Sequence, residues 1–215
     1  MVLNFRLIVA RYNEDISWTK DFPNVTLINK GTKLEETFGH TVIEFENVGR
    51  ESHSYYKWIY DNYENILEDY IIFVQGNPFD HSPNIIENLN KYMNDPDLKN
   101  DFIYISQLHN KTTLLKEFNK GLYCTTILRT YQDLFGSTKD KEIICAWGAQ
   151  FMVSKRSILT KSKAFYEKLV NLLNHSINPD EGYHFERLHH EIMSYNEYSK
   201  TFENIGWSYN IPNSK

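Results

Sequence analysis

Residues 70–81 read YIIFVQGNPFDH, and this stretch decides the fold class. Its first half is an apolar run ending in Gln75, which is typical of a strand buried on both faces of a sheet. Phe5–Ala10 has the same character, and Gly76 with Pro78 predicts a tight turn after the second run. Such strands alternate with helical segments along the chain. We therefore expect an α/β protein whose central sheet is covered by helices on both faces.

The predicted elements alternate without a linker or an internal repeat to divide them, so we expect a single domain over residues 1–215. Ser82-Pro83 is a typical N-cap and first-turn pair for a helix. The predicted strands are Phe5–Ala10, Val25–Asn29, Thr41–Phe45, Tyr70–Gln75, Phe102–Ser106, Ile143–Trp147 and Gln150–Ser154. The predicted helices are Arg50–Ile66, Pro83–Met93, Ser162–Leu173 and Gly182–Tyr195, and an irregular tail covers residues 200–215.

Composition and charge exclude several classes of protein. An aromatic share of 15% in 215 residues is enough for a full core, which excludes global disorder. The net charge of −5 and the lack of a basic segment argue against nucleic acid as a partner. Two cysteines, Cys124 and Cys145, exclude a disulfide scaffold and suit a reducing compartment. The first apolar run is too short for a signal peptide or membrane span, so we expect a cytoplasmic protein without one.

Ligands of open α/β sheets bind beyond the carboxyl ends of the strands, so the loops that follow strands are the candidate sites. The loop after the first strand offers a cation, an aromatic ring, an amide and two carboxylates. These groups suit, in that order, a phosphate or carboxylate, a nucleobase face, a base edge and ribose hydroxyls. They belong to Arg11, Tyr12, Asn13, Glu14 and Asp15. The alternative is a polar loop in which Asp15 or Ser17 caps a short helix.

A second candidate is Asn47–His53, where Gly49 and Arg50 stand at the entry to a predicted helix. Free backbone N–H groups and the helix dipole favour an anion there. Arg50 can add a bidentate contact to a phosphate. The alternative is a simple turn with Arg50 on the surface.

The third candidate, Gln75–His81, is the most informative because it follows the most apolar strand. Its polar side chains are those of Gln75, Asn77, Asp80 and His81. A carboxylate at this edge can hold a divalent cation, act as a base or accept from a sugar hydroxyl. His81 can add a ligand or a hydrogen-bond donor. The alternative is that Asp80 caps the helix beginning near Pro83 and that His81 is exposed.

Two later stretches carry weaker signals. Small residues beside Trp147 suggest backbone close to a ligand, with the face of Trp147 as a platform for a sugar, although such a tryptophan is more commonly core. Glu186 and His190 lie four residues apart on one predicted helix, a spacing that suits a metal pair but is not the HExxH pattern. The alternative is a solvated Glu186–His190 pair beside a packed His189.

These stretches together resemble one family. It is an uncharacterised-domain family of fungi, bacteria and large DNA viruses, which is similar to the N-terminal glycosyltransferase domain of a chlorella-virus multidomain protein. The resemblance spans nearly the whole chain in five blocks of the same order. The blocks are Val9–Asp15 with Trp18, Asn47–His53, Gln75–His81, Trp147–Phe151 and Gly182–Leu188.

The resemblance implies a GT-A-like (Rossmann-like) fold with a mixed, mostly parallel sheet. It also implies sugar transfer from a nucleotide-diphosphate donor, foremost a UDP-sugar, to a hydroxyl of a glycan acceptor, with Mn²⁺ or Mg²⁺ on the diphosphate. A viral source would place the protein in the host cytoplasm. The implied catalytic residues are Asp80, which would also hold the metal, and His81. The implied donor contacts are Arg11, Tyr12, Asn13, Glu14, Asp15, Gly49, Arg50, Gln75 and Asn77, and the implied sugar or acceptor contacts are Trp147, Gln150, Glu186 and His190.

One departure from that family concerns the metal. GT-A enzymes usually present Asp-x-Asp after a central strand, whereas this chain has Asn77-Pro78-Phe79-Asp80. Asp95-Pro96-Asp97 matches the pattern but is predicted to be a surface turn, so a metal would rest on one carboxylate plus the diphosphate. Two other functions stay open. One is a metal-dependent hydrolase using Asp80, His81, Glu186 and His190, and the other is a glycan-binding module using Trp147 and the tyrosines.

Overall fold

A computed structural model describes residues 3–106, 109–137 and 139–194, so the tail predicted to be irregular, 200–215, lies outside the described residues. The strands are β1 (Phe5–Arg11), β2 (Val25–Asn29), β3 (Thr41–Glu44), β4 (Tyr70–Gln75), β5 (Phe102–Tyr104), β6 (His109–Thr113), β7 (Glu142–Ala146) and β8 (Phe151–Ser154). The helices are α1 (Arg50–Asn62), α2 (Ile85–Met93), α3 (Leu114–Asn119), α4 (Ile127–Phe135), α5 (Lys155–Ile158), α6 (Lys163–Leu173) and α7 (Asp180–Met193). Short 3₁₀ turns cover Ser17–Thr19, Tyr63–Asn65 and Leu122–Cys124.

Within the described residues the central sheet has the strand order β3-β2-β1-β4-β8-β5. The first four strands in that order are parallel, and β8 runs antiparallel to both β4 and β5. Strands β6 and β7 form a separate antiparallel ribbon. The predicted mixed, mostly parallel sheet is therefore confirmed.

The order of the strands creates a crevice at one edge of the sheet. From β1 the chain passes to β2 and then β3 on one side, whereas β4 pairs with β1 on the other side. The register of β1 and β4 matches Ala10 with Gln75, so the loops beginning at Tyr12 and Gly76 leave the same edge of the sheet next to each other. Diverging connections of this kind leave space for a ligand at the carboxyl ends of the two strands.

Both faces of the sheet are buried, which is why the strands read as apolar runs. On one face, Ile8 and Phe73 pack in a core that includes Tyr55 of α1 and Phe185 of α7. On the other face, Leu7 and Ile72 pack in a second core with Ile85 and Leu89 of α2. Consecutive residues of β1 and β4 thus point to different cores, as the pleat of a strand requires.

Some predicted boundaries are wrong for identifiable reasons. Helix α2 begins at Ile85, and the described residues provide no side-chain cap for it, so the predicted Ser82-Pro83 start is incorrect. The Ser82 N–H donates to the carbonyl of Pro78, which keeps that segment in the turn after β4. Helix α1 ends at Asn62, and a 3₁₀ turn takes up three of the remaining four positions of the predicted helix. The start of α6 after Ser162 is confirmed, because the Ser162 hydroxyl accepts from the N–H of Phe165.

The region between β5 and β7 was not predicted from the sequence. It contains β6, α3 and α4. The β6 segment reads HNKTT, which has no apolar residue at all and so no strand periodicity. Its partner β7 supplies the apolar side chains, with Ile143 and Cys145 buried.

Candidate active site

A cleft of about 600 Å³ opens at the carboxyl ends of β1 and β4, at the crevice that the strand order creates. It brings together residues from the first three predicted segments, which are far apart in the sequence. The predicted site residues that line it are Arg11, Tyr12, Glu14, Arg50, Gln75, Asn77 and Asp80. It is also lined by residues that were not predicted, notably Lys30, Glu51, Ser54, Ile177 and Asn178.

Arg11 holds the wall of the cleft in place. Its guanidinium donates to the carbonyls of Tyr12, Glu14 and Thr32 at 3.1, 3.0 and 2.9 Å and to Oδ1 of Asn29 at 2.6 Å. Arg11 is buried, whereas the neighbouring Tyr12 is 51% exposed. The arginine therefore stabilises the loop, and Tyr12 presents its ring at the mouth of the cleft.

The remaining polar residues of this loop also bind the backbone. Asn13 Oδ1 accepts from the N–H and hydroxyl of Thr32 at 2.8 and 2.9 Å. Glu14 Oε2 accepts from the N–H groups of Tyr12 and Asn13 at 2.6 and 3.1 Å. Asp15 accepts from the hydroxyl and N–H of Ser17, which lowers the pKa of that carboxyl. The N-cap of the 3₁₀ turn Ser17–Thr19 is Ile16, and no described side chain caps it, so the predicted alternative in which Asp15 or Ser17 caps a helix is wrong.

The turn after β4 is locked against this loop through Gly76. A Cβ at Gly76 would lie 2.7 Å from Glu14 Oε2, so a larger residue would displace the Glu14 carboxylate. The Gly76 carbonyl accepts from the indole N–H of Trp18 at 2.9 Å. From the other side, the buried Gln150 amide donates to the Pro78 carbonyl at 2.9 Å. Gln150 thus supports the turn from the interior.

Asp80 emerges from this turn as an exposed carboxylate that lines the cleft. The alternative in which it caps α2 does not hold, because that helix begins five residues later. His81 is half-buried and lies against Gly148, where an added Cβ would come within 2.8 Å of its own Cβ. The two predicted catalytic residues therefore have different surroundings, and the cleft lining contains Asp80 but not His81.

The entry to α1 is built from two consecutive left-handed residues, Gly49 with φ 63° and Arg50 with φ 53°. The Gly49 N–H donates to the Ser176 carbonyl at 2.8 Å, so it is used inside the protein. A non-glycine residue in this conformation, as at Arg50, costs free energy that the surrounding structure must supply. The Arg50 guanidinium lies 4.3 Å from the centre of the Tyr183 ring, and its Nε is 3.6 Å from Glu51.

Lys30 is the main cleft residue that the sequence interpretation missed. Its Nζ donates to the carbonyls of Val48 and Arg50 at 2.5 and 2.6 Å, and so holds the left-handed turn. Burial lowers its pKa to about 7, partly opposed by the negative charge of Glu51. Lys30 could have been found from the sequence, because it directly follows the predicted strand Val25–Asn29. Arg11 and Asp80 were identified in the same way, from their positions in loops that follow strands. The high lysine content of the chain obscured Lys30.

The residues predicted to contact the sugar or acceptor lie outside the cleft lining. Glu186 Oε1 accepts from the Gly148 N–H at 2.8 Å, and burial raises the pKa of Glu186. Trp147 is half-buried, with the Arg187 guanidinium 4.9 Å from its ring centre. His190 packs edge-on against Phe102 at 5.4 Å.

Glu186 and His190 therefore have separate partners. The predicted alternative of a packed His189 is confirmed, since His189 is fully buried and its Nδ1 lies 2.6 Å from the Tyr56 hydroxyl. Among the described residues, no group of three or more His, Cys, Asp or Glu side chains is placed to hold a metal ion. Asp97 donates its N–H to Asp95 Oδ1 at 2.9 Å, which confirms the surface turn predicted for that Asp-x-Asp.

In the comparison with known proteins, one family model matches part of the chain. Residues 7–100 match the family described as a protein of unknown function, DUF3431. This segment extends from β1 past α2 and contains both loops that meet at the cleft, so a relationship to an uncharacterised domain family is confirmed over these residues. No curated protein matches the chain, and neither does any solved structure. In the part of the chain that the structure describes, no helix is both long and apolar enough to span a bilayer.

Proposed function

We propose that the chain is a glycosyltransferase that binds a nucleotide-diphosphate sugar, foremost a UDP-sugar, in the cleft between β1 and β4. It would transfer the sugar to a hydroxyl of a glycan acceptor. The observation that carries the proposal is the position of this cleft, which lies where an open α/β sheet binds its ligand. Its lining combines cations, three carboxylates and an exposed aromatic ring, and these groups suit a nucleotide sugar and its metal ion.

Each of these groups has a role in the proposed reaction. The exposed ring of Tyr12 stacks on the base. Arg50, together with Lys30 in its protonated form, stabilises the negative charge that develops on the departing nucleoside diphosphate. Asp80 accepts a proton from the acceptor hydroxyl as that oxygen attacks the sugar, if the reaction inverts the anomeric centre. The GT-A-like form of the fold belongs to this proposal, and the mostly parallel sheet is compatible with it.

The donor groups at the cleft suit a divalent cation only together with a diphosphate. Mg²⁺ is commonly held by one or two carboxylates plus substrate phosphates rather than by a complete protein cage. Asp80 is the exposed carboxylate available for that role, since Glu14 Oε2 already accepts two backbone N–H groups. Asp80 would hold Mn²⁺ or Mg²⁺, which would neutralise charge on the diphosphate.

Calorimetric titration with UDP and with GDP, each with and without Mn²⁺, tests the proposal. We expect micromolar binding of one nucleotide, strengthened by Mn²⁺. Tyr12→Ala should weaken it by about tenfold or more, because stacking contributes roughly 1–3 kcal/mol per base. Asp80→Asn should remove the effect of Mn²⁺, whereas the matched control Asp97→Asn, in the surface turn after α2, should bind as the wild type does.

The other outcomes are equally specific. Failure to bind either nucleotide under any condition would contradict the proposal and favour a hydrolase or a glycan-binding module. If the nucleotide affinity changes neither with Mn²⁺ nor in Asp80→Asn, the proposed donor site stands, but the proposed role of Asp80 as the metal ligand is wrong.

A further inference from the structure

A column of stacked groups leads from the cleft to the protein surface. It starts at Arg50, which lines the cleft and lies over the Tyr183 ring at 4.3 Å. Tyr183 stacks in turn on Tyr123, with the ring centres 4.0 Å apart and the planes inclined by 9°. Tyr123 is 47% exposed, so the column ends in an aromatic ring that is open to solvent.

The backbone of Tyr123 is held by a buried hydrogen-bond network. His184 Nε2 lies 2.8 Å from the Tyr123 carbonyl, and its Nδ1 lies 2.8 Å from the Thr130 hydroxyl. A carbonyl only accepts, so Nε2 carries the proton and Nδ1 accepts from Thr130. His184 is fully buried, and burial lowers its pKa, which keeps the imidazole in this neutral form. Residues of α4 and α7 therefore fix the backbone of the turn Leu122–Cys124, and the stack on Tyr183 orients the Tyr123 ring.

The chemistry around this ring suits a saccharide. The face of an aromatic ring carries a negative electrostatic potential, which attracts the C–H groups on the apolar side of a sugar ring. Beside the column lie polar groups that can contact sugar hydroxyls, among them Arg50 and Asn178, whose Nη1 and Oδ1 are 3.5 Å apart. A rigid ring next to such groups matches a ligand that alternates apolar faces with hydroxyls.

We infer that the exposed face of Tyr123 is a subsite for the acceptor saccharide, with one sugar unit lying on the ring and the reacting end extending past Arg50 into the cleft. The inference rests on the proposed glycosyltransferase function and assigns its acceptor side. Trp147, the platform expected from the sequence, is less suitable, because Arg187 lies over its ring and Lys120 is 6.0 Å from its centre.

Saturation-transfer NMR with chitotriose, cellotriose and maltotriose, with and without UDP, tests this subsite. At least one trisaccharide should receive saturation at its ring C–H protons. Tyr123→Ala should weaken that binding by about five- to tenfold, while Tyr123→Phe, which keeps the ring, should bind within about twofold of the wild type. The matched control is Tyr12→Ala, since Tyr12 is 51% exposed but belongs to the loop after β1 and lines the cleft, whereas Tyr123 does not. Tyr12→Ala should weaken the binding of UDP and leave the binding of the saccharide unchanged.

The two tyrosines separate failure of the inference from failure of the proposed function. Wild-type protein that binds UDP but none of the three saccharides would overturn the subsite and leave the donor site intact. Loss of UDP binding in Tyr123→Ala would show that the ring serves the nucleotide base, which also overturns the subsite. Saccharide binding without any nucleotide binding would support the Tyr123 platform while rejecting the transferase. Melting temperatures of all variants control for folding.

Discussion

Replacing Glu117 of α3 with alanine should destabilise the half of the molecule that carries Tyr123 and Trp147. The Glu117 side chain is fully buried, and its carboxylate accepts from Lys120 Nζ at 2.5 Å and from Arg187 Nε at 2.9 Å. Arg187 belongs to α7 and is only 11% exposed. The substitution would leave this guanidinium nearly buried without its main counter-charge.

Loss of one partner from a buried ion pair costs about 3–5 kcal/mol, against a total unfolding free energy of about 5–15 kcal/mol. We expect a loss in that range for Glu117→Ala in urea unfolding at pH 7, followed by circular dichroism. Glu117→Gln keeps the shape of the side chain and should lose less unfolding free energy than Glu117→Ala. It replaces the alanine variant in this measurement if that variant does not fold. The control is Asp61→Ala, which breaks the exposed Lys57–Asp61 pair and should cost less than about 1 kcal/mol.

The effect of Glu117 should also depend on pH. Burial alone would raise its pKa, but the hydrogen bonds from Lys120, Arg187 and Thr112 outweigh burial and hold the pKa below its usual value. A carboxyl with a depressed folded pKa contributes stability above the unfolded pKa of about 4.3, and this contribution is lost as the pH falls below it. The difference between wild type and Glu117→Ala should therefore shrink between pH 7 and pH 3. A loss below about 1 kcal/mol at pH 7, or a difference independent of pH, would refute this account.

Two further predictions concern the entry to α1 and the buried histidines. Gly49→Ala should lower the free energy of unfolding, measured in urea, by at least about 2 kcal/mol. The alanine would have an unfavourable left-handed conformation, and its Cβ would also lie too close to His53 Cβ, at 2.6 Å, and to the Leu173 carbonyl, at 2.7 Å. Gly39→Ala, also left-handed but with no described atom within 4 Å of the added Cβ, should cost only about 1 kcal/mol, and equal losses would argue against the crowding. Burial lowers the pKa of both His53 and His189 to about 3. Below about pH 6.5 the unfolded chain therefore binds protons at these histidines that the folded chain does not bind. The free energy of unfolding should consequently fall as the pH is lowered from 7 to 4. His53→Leu should reduce that slope by about one proton, and an unchanged slope would contradict it.

Particular residues show how far the candidate site could be predicted. Arg11, Tyr12 and Asp80 were placed at one edge of the sheet because they follow apolar strands, and all three line the cleft. Whether each side chain faces the ligand could not be predicted. Arg11 turns inward because Asn29, at the end of the neighbouring strand β2, and Thr32, just beyond it, supply acceptors for its guanidinium. Gln150 likewise reaches the Pro78 carbonyl, a partner 72 positions away.

Local pattern alone predicted the strands Phe5–Ala10, Val25–Asn29 and Tyr70–Gln75, because a strand buried on both faces is apolar at most of its positions. The same rule placed polar loops at their carboxyl ends. Tertiary structure decided what those loops meet: Lys30 beneath the left-handed turn at Arg50, and Tyr183 stacked between that turn and Tyr123. Burial and hydrogen-bond geometry depend on residues far apart in the chain, whereas hydrophobic periodicity is a property of neighbours.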